Sequence, residues 1–230
     1  MTNRPLAIFD IDGTLSDSIP LHQTAFLSVM EGFSFPSLNR DWASYTHHTD
    51  TAIFEEAWSS AYGRRPSLEE RGEFHIRLEN EFEETSRGRI IAEIAGAAAF
   101  VEHLRDAGWA VAFATGGLRK MSRRKLSAIG VNFADDLLVT ASEYVTREEL
   151  VTQAIEAARI HYAHTPGRVV SIGDGIWDLR TAAALGLHFL GVGTGPKAEI
   201  LARAGATVVS DFRDKSAAIG SLQQCGLAQY

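Results

Sequence analysis

The chain has little of what several protein classes require. Of its 230 residues a single one, Cys225, is a cysteine, so neither an intrachain disulfide nor a cysteine-rich metal site can form, and Cys225 reads as a small buried or terminal thiol. No apolar stretch approaches the roughly 20 residues that span a bilayer, so a membrane protein is excluded. The polar start, Met1 to Pro5, leads into only four apolar residues, too few for a secretory leader, and a cytoplasmic location is expected. Positive charge is also short: a formal net charge of -7 argues against nucleic acid as a partner, because that binding depends on neutralising phosphates. The one basic run, Arg119, Lys120, Arg123, Arg124 and Lys125, reads as the solvated face of a helix.

What is present is an alternation of short β-rich runs with helical segments, the pattern of a parallel α/β sheet. Strands are predicted over Leu6–Asp10, Trp109–Ala114, Leu137–Thr140, Val169–Ile172, His188–Val192 and Thr207–Ser210. Helices are expected over Ala98–Ala107, Leu118–Ile129, Arg147–His161 and Leu179–Leu185, three of them closed by Gly108, Gly130 and Gly186 at left-handed stops. From Ser16 to about Ile91 the alternation breaks, and patterns such as Ala52, Ile53, Phe54, Ala57, Trp58 and Tyr62 are helical with no strand-like run. The expected organisation is α/β: a doubly wound parallel sheet core, residues 1–15 and 92–230, with an inserted α-helical cap domain at 16–91.

Three motifs fall at predicted strand ends, where open α/β sheets build their sites. Asp10-Ile11-Asp12-Gly13-Thr14-Leu15 follows the first strand, with two carboxylates two residues apart on one side of an extended chain. Ala114-Thr115-Gly116-Gly117 offers a hydroxyl and glycine N–H groups where a helix begins, suited to phosphoryl oxygens. Gly173-Asp174-Gly175-Ile176-Trp177-Asp178 closes a later strand. If these ends meet, four carboxylates converge, and each close like-charge pair costs on the order of 4 kcal/mol at an effective dielectric near 20. Such a cluster calls for a cation, and hard oxygen donors suit Mg2+.

The three motifs, in this order and over nearly the whole chain, resemble the haloacid dehalogenase superfamily, and the insertion resembles the cap of its phosphoglycolate-phosphatase-like branch. The resemblance implies a Mg2+-dependent phosphatase acting on a small phosphorylated metabolite. Asp10 would be the nucleophile and Asp12 the acid and then base; Thr115, Gly116 and a cation would hold the phosphoryl group. Asp10, Asp174 and Asp12, the last through its main-chain carbonyl, would hold the metal, supported by Asp178. The family's cation stands in a Lys-Pro pair that this sequence lacks; Arg147 is the choice by position, with Lys120 and Lys125 as rivals. A sugar-phosphate mutase with the same nucleophile is the alternative, and a phosphoryl-accepting regulatory domain a more distant one. The branch that uses a cap lysine is closed, since no lysine precedes Lys120.

Other features carry blander expectations. Asp17 and Ser18 read as structural, suited to capping a helix. Gly191-Val192-Gly193-Thr194-Gly195 misses dinucleotide spacing. His22, His47, His48 and Asp50 fit a surface or core role at least as well as a substrate-facing one, and are no zinc set; Trp42 and Tyr45 could join His47 and His48 against substrate. His161 and His164 suit a helix end. The sequence sets no oligomeric state.

Overall fold

The computed structural model describes residues 4–33, 35, 36, 38–40 and 44–230. Among them, six strands form one parallel sheet: β1 (Leu6–Phe9), β4 (Ala110–Thr115), β5 (Leu138–Thr140), β6 (Val169–Gly173), β7 (His188–Val192) and β8 (Thr207–Val209), in the order β5-β4-β1-β6-β7-β8. From β1 the chain builds outward through β4 and β5 on one side and through β6, β7 and β8 on the other. Strand order therefore reverses around β1, and the crevice at the carboxyl ends of β4, β1 and β6 is the place where such sheets bind ligands.

Side-chain alternation gives the sheet two buried faces. Leu6 and Ile8 point with Ala110, Ala112 and Ala114 toward Leu150, Val151, Ala154 and Ala158 of α6 (Arg147–His161). Ala7 and Phe9 point the other way, into a core with Phe113, with Phe100 of α4 (Ala97–Asp106) and with Phe212. Phe100 and Phe212 stack at 4.8 Å. Fully burying each such ring contributes about 1.5–3 kcal/mol, so the sheet behind the site is a rigid platform. The remaining helices of the layers are α5 (Arg119–Ala128), α7 (Ile176–Ala184), α8 (Gly195–Arg203) and α9 (Lys215–Gln224).

Three helices, α1 (Ile19–Gly32), α2 (Asp50–Tyr62) and α3 (Leu68–Thr85), make the insertion after β1. Its own aromatic contacts include Phe54 stacked on Phe74 at 4.3 Å, and Phe26, Met30, Leu78 and Phe82 continue the core on the Phe9 face. Local signals set the helix starts: Thr49 accepts from Ala52 N–H at the head of α2, and Ser67 with Glu70 forms a reciprocal capping box on α3. No described helix is long and apolar enough to cross a membrane.

Two expectations need correction. The interval from Ser16 holds a strand after all: β2 (Ser16–Asp17) pairs antiparallel with β3 (Ala92–Glu93) at the neck of the insertion. Two-residue strands carry no periodicity, so pattern alone cannot find them. The basic run is not wholly a solvated face, because Lys125 of α5 is fully buried.

Candidate active site

Asp10 leaves the end of β1, Thr115 ends β4, and Asp174 follows β6, so the parallel register delivers the three motifs to one crevice. Gly13 then turns the chain at φ +81°, a left-handed conformation that favours glycine, and any Cβ there would collide with the Asp174 carboxylate. At Gly116 a Cβ would collide with the His48 carbonyl, so its missing side chain lets the insertion approach the core. Asp50 N–H donates to the Gly116 carbonyl at 2.8 Å, Thr49 Oγ1 to the Val145 carbonyl and Thr51 Oγ1 to the Ala141 carbonyl, both at 2.6 Å. These contacts seat the start of α2 on two core loops, those after β4 and β5.

The crevice is a cavity of about 140 Å³ lined by Asp10, Asp12, Thr115, Gly116, Arg147 and Asp174 on the core side. His22, Gln23, His48 and Asp50 are among its lining from the insertion. Asp10, Asp174 and Asp178 each place one carboxylate oxygen within 4.8 Å of the others. The Asp12 side chain is directed elsewhere: Ser18 Oγ donates to its Oδ1 at 2.5 Å and Lys125 Nζ to its Oδ2 at 2.7 Å. Ser18, expected to cap α1, makes no side-chain cap bond and braces Asp12 instead.

Each carboxylate but one has a close cationic or imidazole partner. Arg147 donates to Asp178 Oδ1 at 2.5 Å, Lys197 to Asp174 Oδ2 at 2.8 Å and Lys125 to Asp12, while His22 Nε2 lies 2.8 Å from Asp50 Oδ1. Among the described residues Asp10 has only Arg147 at 3.6 Å, and its buried Oδ1 has no hydrogen-bond partner. Burial raises the Asp10 pKa well above the usual carboxylate range despite Arg147, with Asp178, Asp174 and Asp12 adding to the rise. Burial likewise lifts Asp178 to about 6 against the pull of Arg147, and raises Asp174 against Lys197. Asp12 goes the opposite way, because Lys125 and His22 together overcome burial and hold it well below its ordinary value.

This arrangement fits a divalent cation. An unpartnered buried carboxylate oxygen, beside two more carboxylates and all-oxygen donors, leaves a local deficit of positive charge that a hard ion would fill.

Arg147 stands where it does because Thr146 and Glu149 form a capping box that starts α6 there. Besides Asp178 it reaches the insertion, its Nε donating to the His48 carbonyl at 3.0 Å. Of its sequence rivals, Lys120 pairs with Glu83 away from the cavity lining. Lys125 serves Asp12, and also contacts His22 Nδ1 at 2.8 Å. Despite burial, Asp50 and Asp12 lift the His22 imidazole to about 9 against the Lys125 charge. Breaking the Lys125–Asp12 pair leaves a charge without compensation: Lys125→Met is expected to cost about 3 kcal/mol by urea denaturation. Adding Asp12→Asn should recover part of that loss, and additive losses would refute the coupling.

His48, Trp177 and Lys197 line the cavity too, with His48 stacked on Trp177 at 4.1 Å. Burial, followed by Arg147, lowers His48 to about 4, so it is neutral at pH 7. Trp177 was visible inside the third motif, but an unassigned position there carries no signal of contact. Lys197 follows the glycine run, whose reading as a non-dinucleotide loop gave no reason to look further. His47 lies 3.7 Å from Glu148, the Tyr45 hydroxyl donates to the Asn39 carbonyl, and Trp42 lies outside the described residues.

A family model for haloacid dehalogenase-like hydrolases matches residues 5–186, spanning all three motifs. The chain belongs to this family. A phosphoglycolate phosphatase from Cereibacter sphaeroides (strain ATCC 17025 / ATH 2.4.3) is 26% identical over 186 residues, 80% of this chain and 83% of that protein. In three dimensions the hydrolase is similar to a putative beta-phosphoglucomutase from Bacteroides vulgatus, with TM-score 0.73, 21% identity, and coverage of 99% of this chain and 91% of that one. It is also similar to CbbY from Rhodobacter sphaeroides in complex with phosphate, with TM-score 0.67, 19% identity, and coverage of 92% and 96%. At these identities the structural likeness concerns the fold: a Rossmann-like core carrying a helical insertion.

Proposed function

We propose that this hydrolase is a Mg2+-dependent phosphatase that cleaves small phosphate monoesters through an aspartyl-phosphate on Asp10. The observation that carries the reading is the isolation of Asp10: its neighbours are paired, while its own Oδ1 is buried without a hydrogen-bond partner. Burial holds its pKa well above the usual carboxylate range in the metal-free site, so a bound cation would supply the charge neutralisation that keeps it ionised to attack. Its similarity to a phosphoglycolate phosphatase supports the same class of reaction.

The phosphoryl group would lie against Thr115, Gly116 and Arg147, whose donors stabilise the charge spread over its oxygens. Asp10, Asp174 and the Asp12 main-chain carbonyl would hold Mg2+, with Asp178 in support. When bound, the ion neutralises the carboxylates and phosphoryl oxygens. Asp10 forms a bond to phosphorus as the ester oxygen departs with its electron pair and a proton from Asp12. Asp12 must carry that proton when substrate is bound, whereas in the free site Lys125, donating to it at 2.7 Å, holds it ionised. Asp12, ionised again, then takes a proton from water as the water oxygen attacks phosphorus, releasing phosphate and regenerating Asp10. Residues 16–91 act in this reading as a cap that excludes bulk water and selects the leaving group, on a core of residues 1–15 and 92–230.

Product analysis tests the reading. With a phosphosugar or p-nitrophenyl phosphate and Mg2+, inorganic phosphate should accumulate in step with substrate loss and cease in excess chelator. Isomerised phosphosugar without phosphate release would establish a mutase instead, and turnover unaffected by chelation would overturn the metal requirement.

A further inference from the structure

Among the described residues, three Lys and Arg side chains serve the motif aspartates, and they are held very differently. Lys125 is fully buried, donates to Asp12 and lies 5.0 Å from the centre of the Phe82 ring. Arg147 is nearly as buried and ties Asp178 to the His48 carbonyl. Lys197 is the loose one: its side chain keeps 51% of its accessible surface, against 7% for the Asp174 side chain it meets. Among the described residues its ammonium has one hydrogen-bond partner, Asp174 Oδ2 at 2.8 Å, with the Trp177 ring 5.6 Å away.

Nothing local places this ammonium. Lys197 stands in the first turn of α8, where the positive end of the helix disfavours a cation, and no acidic residue occupies that turn. Asp174, 23 residues earlier in sequence, draws it onto the cavity lining. The carboxylate cannot shift to follow a new partner, because Gly13 packs so closely that a Cβ there would lie 2.4 Å from Asp174 Oδ2. An ammonium and a divalent ion on one fixed carboxylate repel each other at short range. An ion pair with one end half in water is weak, and the lysine has a flexible stem that returns its charge to solvent. The ammonium is therefore the partner that gives way.

Resting on the assignment of Asp174 to the metal, we infer that Lys197 and the divalent cation compete for that carboxylate, so that binding the ion releases the ammonium and Lys197 sets how tightly the metal is held. The lysine acts through Asp174 on the affinity for the ion, and makes the site bind metal more weakly than its carboxylates alone would.

Mg2+ titrated calorimetrically into chelator-stripped wild type, Lys197→Met and Lys120→Met measures the competition. Lys197→Met should bind Mg2+ at least tenfold more tightly than the wild type. Lys120→Met removes an ammonium that pairs with Glu83 away from the cavity lining, and its affinity should stay within threefold, because a distant exposed charge is screened. A second measurement needs no variant: acylation of amines in the wild type, read by peptide mass, should modify Lys197 faster with saturating Mg2+ than without, relative to the exposed Lys215. A smaller gain in Lys197→Met, or Lys197 acylation unmoved by Mg2+, would overturn the inference alone, since ion and ammonium would then share Asp174. Absence of Mg2+ binding in both the wild type and Lys197→Met would overturn the metal assignment and this inference with it.

Discussion

Asp10→Asn is expected to lower kcat by at least ~10⁴-fold while the protein remains folded, because an amide cannot form the covalent intermediate. The same substitution should stabilise the metal-free protein. Burial and three neighbouring carboxylates raise the pKa of Asp10 in the folded state. For an acid, a raised folded pKa means that ionisation costs stability, and the cost is present at neutral pH and absent once the pH falls below the ordinary value of 3.8. The metal-free variant should thus melt above the wild type at pH 7.5, with the gap closing as the pH approaches 3.8. Added Mg2+ should raise the melting temperature of the wild type more than that of the variant. A variant less stable than wild type at pH 7.5 without metal would show that Asp10 is better compensated than its geometry indicates.

Arg147→Met should have the second-largest effect, on two properties at once. The guanidinium joins Asp178, lies 3.6 Å from Asp10 and donates to the His48 carbonyl. Removing it leaves two buried carboxylates facing one another, a loss of about 3–5 kcal/mol. A domain of this size loses roughly 2–4 °C per kcal/mol, so a drop of about 10 °C in melting temperature is expected. Turnover should fall by about 10²–10³-fold, as when a preorganised donor to a transition-state oxygen is lost. Arg147→Lys should recover little of it, because one ammonium cannot reproduce the planar fork that serves Asp178 and the His48 carbonyl together. Activity near wild type in Arg147→Lys would show that a point charge suffices and that the fork is incidental.

The sequence made the architecture legible where signals were local. Leu6, Ala7, Ile8 and Phe9 read as a strand from composition, and Arg147 could be chosen from its position just before a predicted helix and its distance ahead of Asp174. The four aspartates were visible as motifs, and the parallel register needed only to bring their strand ends together. What escaped depends on distant partners. Lys125 is one of five cations on a short helix, and its burial follows from Asp12, 113 residues away in sequence. His22 looked like any histidine on a helix until Asp50, 28 residues on, came within 2.8 Å. Lys197 and Trp177 meet the site through loop geometry that no periodicity encodes, and the two-residue strands at the neck of the insertion are defined only by pairing with each other.

Trapping the covalent intermediate tests the mechanism most directly. Enzyme mixed with ³²P-labelled substrate and Mg2+, quenched in acid within milliseconds and digested, should carry label on the peptide containing Asp10, released by hydroxylamine and missing from Asp10→Asn. Label on another residue, or efficient turnover with no phosphoenzyme at any quench time, would contradict it.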